Sequence, residues 1–236
     1  MTPLEFEQKY HQVRVSYLSP SGLANSRSVN VHIYCQTSPA AVLREKDSLV
    51  SQVDQELRRA GGLRLIDVER NDRTMISRAF YGKGSPDDCA TALRHALRYS
   101  RTQPDRLQQY CDLVAKIGID CSGFVNNYFR AINRINQDRN IAQYAQGAAR
   151  DSLAEMQAQD VLIWTNNQGH VLAHPRAHIA ILNSSPNRQG HAVVVESASS
   201  LGGLTHSTYT FSRVARNLFS VQRPSGTSHV RVVAVR

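Results

Sequence analysis

The stretch Gly118-Ile119-Asp120-Cys121-Ser122-Gly123-Phe124-Val125 places a cysteine where a polar turn becomes an amphipathic helix. Apolar residues follow at Phe124, Val125, Tyr128, Phe129, Ile132 and Ile135, a helical spacing with one buried face. Cys121 therefore stands at the helix N-terminus, where unpaired backbone N–H groups and the macrodipole favour an anion. A thiol so placed loses its proton more readily, and the thiolate is the nucleophile. Most core cysteines are inert. A core position, however, has no need of the small, polar, turn-forming Asp120, Ser122 and Gly123 around it. Small neighbours also let a substrate approach the sulfur closely.

A cysteine nucleophile needs a base, and the base needs an orienting partner. Of the nine histidines, His178 opens an alternating run, His-Ile-Ala-Ile-Leu, that reads as a strand. A turn over residues 184–190 follows, then an apolar run that ends in Glu196. With the turn centred on Asn187, antiparallel pairing sets His178 opposite Glu196, on one face, with Cβ atoms about 4.5–5.5 Å apart. A carboxylate ending an apolar run needs a polar partner. Pairing with His178 would meet that need and hold the imidazole so that its other nitrogen faces the thiol. His170, His174 and His178 recur every four residues, a spacing that suits metal binding on a helix. Gly169 and Pro175 oppose a helix there, and no carboxylate or cysteine completes a set. Neither a metal nor a cofactor is expected.

These residues must be held by their elements. Strands are expected over residues 13–18 and 28–34. A helix then runs from an N-cap at Ser38 to residue 60, ended by Gly61-Gly62, with a further strand at 63–68. Ser85-Pro86-Asp87-Asp88 signals a capped helix start. More helices are expected from Pro104, after Cys121, and over 141–157. Beyond Asp160 the pattern turns to strands, at 161–164, 177–182, 192–197, 207–211 and 229–235. Helices followed by consecutive strands predict an α+β domain with an antiparallel sheet. The boundary signals divide the chain into an α/β module over residues 1–80, with no chemical motif, and a second domain over 81–236.

The chain has 236 residues, 41% of them hydrophobic and 20% charged, which reads as soluble and globular. No apolar run has the length of a membrane span. Lys plus Arg outnumber Asp plus Glu by 28 to 19, a formal charge of +9 that favours anionic surroundings. The basic residues form no block and no nucleic-acid motif. Cys35, Cys89, Cys111 and Cys121 form no CxxC pair, which leaves the disulfide state of the first three open.

The hexapeptide Asp120-Cys121-Ser122-Gly123-Phe124-Val125 resembles the nucleophile motif of the NlpC-type cell-wall peptidases, a group of papain-like cysteine hydrolases. Gln157-Ala158-Gln159-Asp160, followed by Val161-Leu162-Ile163-Trp164, resembles that family's lead-in to a strand, although Gln159 stands where the family has glycine. Ala177-His178-Ile179-Ala180-Ile181-Leu182 resembles the strand of the base, and Val195-Glu196-Ser197-Ala198 the strand of the third polar residue, more often His in the family. The likeness covers roughly residues 85–200 and is most specific at the nucleophile. It implies an α+β, papain-like NlpC-type fold, with the nucleophile helix packed on an antiparallel β-sheet and a small N-terminal α/β extension. It implies Cys121 as nucleophile, His178 as general base and then acid, and Glu196 as orienting residue. Tyr110, Asp120 and Ser122 are implied on the substrate side. The implied reaction is hydrolysis of peptide bonds in peptidoglycan stem peptides, commonly between γ-D-glutamate and a diamino acid.

Two other readings compete. A related cysteine site serves amidases, deamidases and acyltransferases that act on a protein or a lipid. A basic wall-binding protein would need no catalysis at all. The N-terminus, Met1-Thr2-Pro3-Leu4-Glu5-Phe6, lacks the pattern of a conventional signal peptide. Together with a wall-directed site, this predicts synthesis in the cytoplasm and delivery by a specialised secretion system, as an antibacterial effector with an immunity protein. Expected partners are thus peptidoglycan, an immunity protein and a secretion-system component, and neither nucleic acid nor a membrane span.

Overall fold

The structure, a computed structural model, describes residues 1–19, 21–35, 39–59 and 66–235. The chain divides into two compact units, Met1–Glu7 with Cys121–Arg236, and Gln8–Asp120. The division falls between Asp120 and Cys121, whereas the sequence signals placed a boundary after residue 80.

Helix α1 (Pro3–His11) opens the chain. In the second unit, β1 (Val13–Leu18) and β2 (Ala24–Val29) form an antiparallel hairpin. Helices α2 (Ala40–Arg59), α3 (Ile66–Phe80) and α4 (Pro86–Arg98) follow. The expected start of α4 is observed: Ser85 accepts from the Asp88 amide, and Asp88 accepts from the Ser85 amide. Residues 66–68, expected in a strand, begin α3 instead. The expected cap at Ser38, the Gly61-Gly62 stop and residues 63–65 lie outside the described residues. The helix expected from Pro104 is a 3₁₀ turn (Pro104–Arg106), one α turn, α5 (Leu107–Gln109), and a π-helical turn (Tyr110–Val114).

In the first unit, α6 (Cys121–Ala131) begins at the cysteine. The helix expected over 141–157 is only a capped turn, α7 (Ile141–Tyr144), followed by the short β3 (Ala148–Ala149) and a 3₁₀ turn. Six long strands complete the unit: β4 (Val161–Thr165), β5 (Ile179–Leu182), β6 (His191–Ala198), β7 (Gly203–Ala215), β8 (Leu218–Arg223) and β9 (Gly226–Ala234).

These strands correct the expected architecture. The order β9-β4-β5-β6-β7-β8 returns on itself because β8 also pairs with β9, giving a closed six-stranded antiparallel barrel. The expected papain-like fold, a nucleophile helix packed on an antiparallel sheet with a small N-terminal α/β extension, is not what forms. The element that overturns it is β8, for which the sequence reading had no strand. It bonds β7 on one side and β9 on the other, so the sheet has no free edge there to leave open. Inward residues alternate along every strand. Leu162, Trp164, Ala180, Leu182, Val194, Tyr209, Phe211, Phe219, Val221, Val230 and Val232 fill the barrel.

Helix α6 lies against β5 and β6. Its Phe124 and Tyr128 also pack on Phe6, each ring pair 5.8 Å apart. At the lead-in to β4, Gln159 has a φ of +74°, the left-handed region that glycine adopts without strain. The β5–β6 loop is held by Asn187, whose side chain accepts from the amides of Gln189 and His191. Gly190 ties the loop to β7: its carbonyl accepts from Phe211 N at 2.9 Å. Its φ is +80°, and a Cβ there would lie 2.5 Å from the Phe211 oxygen. Gly190→Ala should therefore lower the unfolding free energy by about 1–3 kcal/mol. The measurement is urea unfolding, and an unchanged midpoint would show that the loop yields without cost.

Candidate active site

Cys121 is the first residue of α6 and is 6% exposed. The helix presents it at its N-terminus, beside the unpaired backbone N–H groups of the first turn. His178 stands one residue before β5. Its carbonyl accepts from Trp164 N at 3.1 Å, which fixes the backbone, and its ring meets the Trp164 indole edge-on at 4.4 Å. His178 Nε2 lies 2.7 Å from Glu196 Oε2. The Cys121 side chain is hydrogen-bonded to the same ring, and Nδ1 is the nitrogen left for it. Cys121, His178 and Glu196 are thus brought into one line.

The strand register differs from the expected one. Ile181 pairs with Val195 and Leu182 with Val194, so the hairpin is centred one residue later than Asn187. Glu196 is consequently diagonal to His178 rather than opposite. A shift of two residues leaves both side chains on the same face, and diagonal neighbours remain within reach of long side chains.

Glu196 has no exposed surface, so its charge must be met by neighbours. His178 meets it from β5 and the Tyr209 hydroxyl donates to it from β7. From β8, Arg223 Nη1 stands 3.6 Å from Oε2. Burial pushes the Glu196 carboxyl up, but His178, Tyr209 and Arg223 together hold it below the usual carboxylate range. Burial likewise pushes the His178 imidazole down. The hydrogen bonds and charges of Cys121 and Glu196 outweigh this and raise it to about 9. Burial and the adjacent carboxylate push Tyr209 far up, so it remains a donor. The site therefore favours an imidazolium beside a carboxylate.

The other sequence candidates have different surroundings. Tyr110 is 3% exposed, and its hydroxyl donates to Glu45 at 2.7 Å. Arg101 closes that knot with Nε 2.9 Å from the same carboxylate. Asp120 pairs with Lys83, and its amide donates to the Gly82 carbonyl at 2.9 Å. Both groups lie in the second unit. Ser122 sits half-buried in the first turn of α6. His170 and His174 lie exposed in a non-helical loop. Among the described residues no group of three or more His, Cys, Asp and Glu side chains is placed to hold a metal ion. All four cysteines are free thiols.

The sequence reading missed Trp164, Tyr209 and Arg223. Trp164 and Tyr209 carried a signal, since each falls at an inward position of an expected strand. Arg223 carried none until β8 was known. The chain matches no model of a known protein family and no curated protein.

Burial pushes the Cys89 and Cys111 thiols well up. In the native protein, iodoacetamide at neutral pH should therefore label Cys121 before Cys89 or Cys111. His178→Ala should slow that labelling at least about tenfold, because the imidazole beside the sulfur is gone. Mass spectrometry of the alkylated peptides reads both outcomes.

Proposed function

We propose that the protein is a cysteine hydrolase that cleaves peptide (amide) bonds in peptidoglycan stem peptides. The observation that carries this reading is the continuous hydrogen-bonded line from the Cys121 thiol through the His178 ring to the buried Glu196 carboxylate. A reactive thiol, a base and an orienting carboxylate in contact are the parts that nucleophilic acyl transfer requires.

In this reading Cys121 Sγ attacks the amide carbonyl carbon. A C–S bond forms and the carbonyl electrons move to oxygen. The backbone N–H at the start of α6 stabilises that oxyanion. As the C–N bond breaks, His178 delivers its proton to the leaving amine, and a thioester remains on Cys121. Water then gives a proton to His178 and attacks the thioester carbon. The carboxylic acid product leaves and gives its proton to solvent, and thiolate and imidazolium are restored together. Glu196 holds the ring in one orientation and stabilises its charged form in both halves.

The substrate class rests on the nucleophile motif, which resembles that of cell-wall peptidases, and on the net charge of +9, which suits an anionic polymer. Peptidoglycan puts the site of action at the cell wall. A hydrolase aimed at a competitor's wall would call for an immunity protein in the producing cell.

Digestion of purified peptidoglycan followed by mass spectrometry tests the reading. The protein should release stem-peptide fragments, and Cys121→Ala or His178→Ala should reduce release by about 10²-fold or more. Wall binding by Cys121→Ala should be largely unchanged. Absence of fragments, with turnover of a protein glutamine or a lipid instead, would sink the peptidoglycan assignment. Full function in Cys121→Ala would sink the hydrolase. The rate should fall as pH rises through about 9, because the imidazolium that protonates the leaving amine is then lost.

A further inference from the structure

One guanidinium touches each group that holds His178 from the barrel side. Arg223 is the last residue of β8 and shares the inward face with Phe219 and Val221. Its side chain is 15% exposed. Nη1 lies 3.6 Å from Glu196 Oε2, the same oxygen that faces His178 Nε2. Its Cζ sits 5.1 Å from the centroid of the Trp164 ring, whose indole packs edge-on against His178. It is also hydrogen-bonded to the Tyr209 hydroxyl, which donates to the other Glu196 oxygen. Its Nε is buried and has no hydrogen-bond partner in the structure. The carboxylate, the Tyr209 hydroxyl and the indole face are therefore the features that orient it.

We propose that Arg223 is a positioning residue of this site: it shields part of the Glu196 charge inside the barrel and braces Trp164 against the His178 ring. The inference rests on reading Cys121, His178 and Glu196 as the reacting line, and is independent of the substrate. Arg223 reaches no reacting atom in the proposed chemistry. It acts through two groups that do the holding, one by charge and one by contact.

The groups that face the pair can be named strand by strand. Helix α6 brings Cys121, β4 the uncharged Trp164, β6 Glu196, β7 Tyr209 and β8 Arg223, while β9 offers Val230 and Val232 to the interior. The sign follows from these. Glu196 favours the proton on His178. Arg223, being positive, neutralises part of that carboxylate and opposes the same proton. Without Arg223 the unshielded carboxylate binds the imidazolium more tightly, and the ring gives up its proton only at higher pH. A lysine retains the charge but lacks the planar face that stacks on an indole.

The test is the pH profile of Cys121 alkylation by iodoacetamide, which needs no substrate. Failure here is thereby distinguishable from failure of the peptidoglycan assay. The wild type should show a step where the imidazolium loses its proton. Arg223→Gln should move that step up by about one pH unit. Arg223→Lys should return it most of the way. In a Glu196→Gln background, Arg223→Gln should leave the step in place, because the charge it shields is gone.

A folded Arg223→Gln protein with the wild-type midpoint would overturn the proposal, as would an equal shift in the Glu196→Gln background. If Arg223→Gln unfolds alone but folds when combined with Glu196→Gln, the buried carboxylate is shown to need the arginine, which supports it. Unfolding in both backgrounds would make Arg223 a fold residue and overturn it.

Discussion

A carboxylate with no exposed surface sits at the centre of the barrel's chemistry, and the surrounding side chains are arranged to keep it charged. Moving a lone carboxylate from water into a protein interior costs several kcal/mol even after relaxation. Glu196 keeps its charge among His178 just before β5, Tyr209 on β7 and Arg223 on β8. The consequence runs outward. An ionised Glu196 favours a protonated His178, and the charged ring lies beside the Cys121 sulfur. This is an electrostatic preference at short range in a poorly solvated space, where such preferences are strong. If Glu196 were neutral, the line of contacts would persist, but its charge separation would not.

Closure of the barrel makes that convergence available. On an open sheet the first and last strands would lie far apart, and a carboxylate on β6 would meet only its two neighbours. Here β8 pairs with both β7 and β9, which curls the sheet until the end of β8 faces the interior near β4 and β6. The same strand supplies Phe219 and Val221 to the core and Arg223 to the charge cluster. Packing and electrostatics are therefore joined in one element. Trp164 carries a related double role, filling the barrel on one side and pressing on the His178 ring on the other.

Much of the site was legible in the sequence because it depends on parity rather than register. Apolar alternation told which residues of each strand face inward, and this put His178 and Glu196 on one face. The exact partner depended on where the turn was centred, and an error of one residue there displaced the pairing by two. Displacement by two preserves the face. The helix start at Cys121 was legible for another local reason, since the switch from polar turn to helical spacing happens within four residues. The cap at Ser85 is equally local. The α3 helix was not legible, because Leu63 to Val68 is an apolar-rich run short enough to suit a strand, and only the contacts along residues 66–80 decide otherwise.

The misjudged barrel had a single physical source. Strand β8 is six residues long, begins straight after Asn217 at a φ of +58°, and follows a β7 whose last residues are bulged and exposed. Its local pattern is weak: Phe219 and Val221 alternate with Ser220 and Gln222, and the strand then ends in an arginine. An arginine at an inward position normally argues against a strand whose face is buried. The objection fails here because a charge already waits inside. Glu196 converts an unfavourable burial into a paired one, and Arg223 in turn lowers the cost of burying Glu196. Neither residue is reasonable in the interior alone, so no reading of one segment at a time could have placed Arg223. Its position becomes intelligible only after the carboxylate is assigned to the barrel.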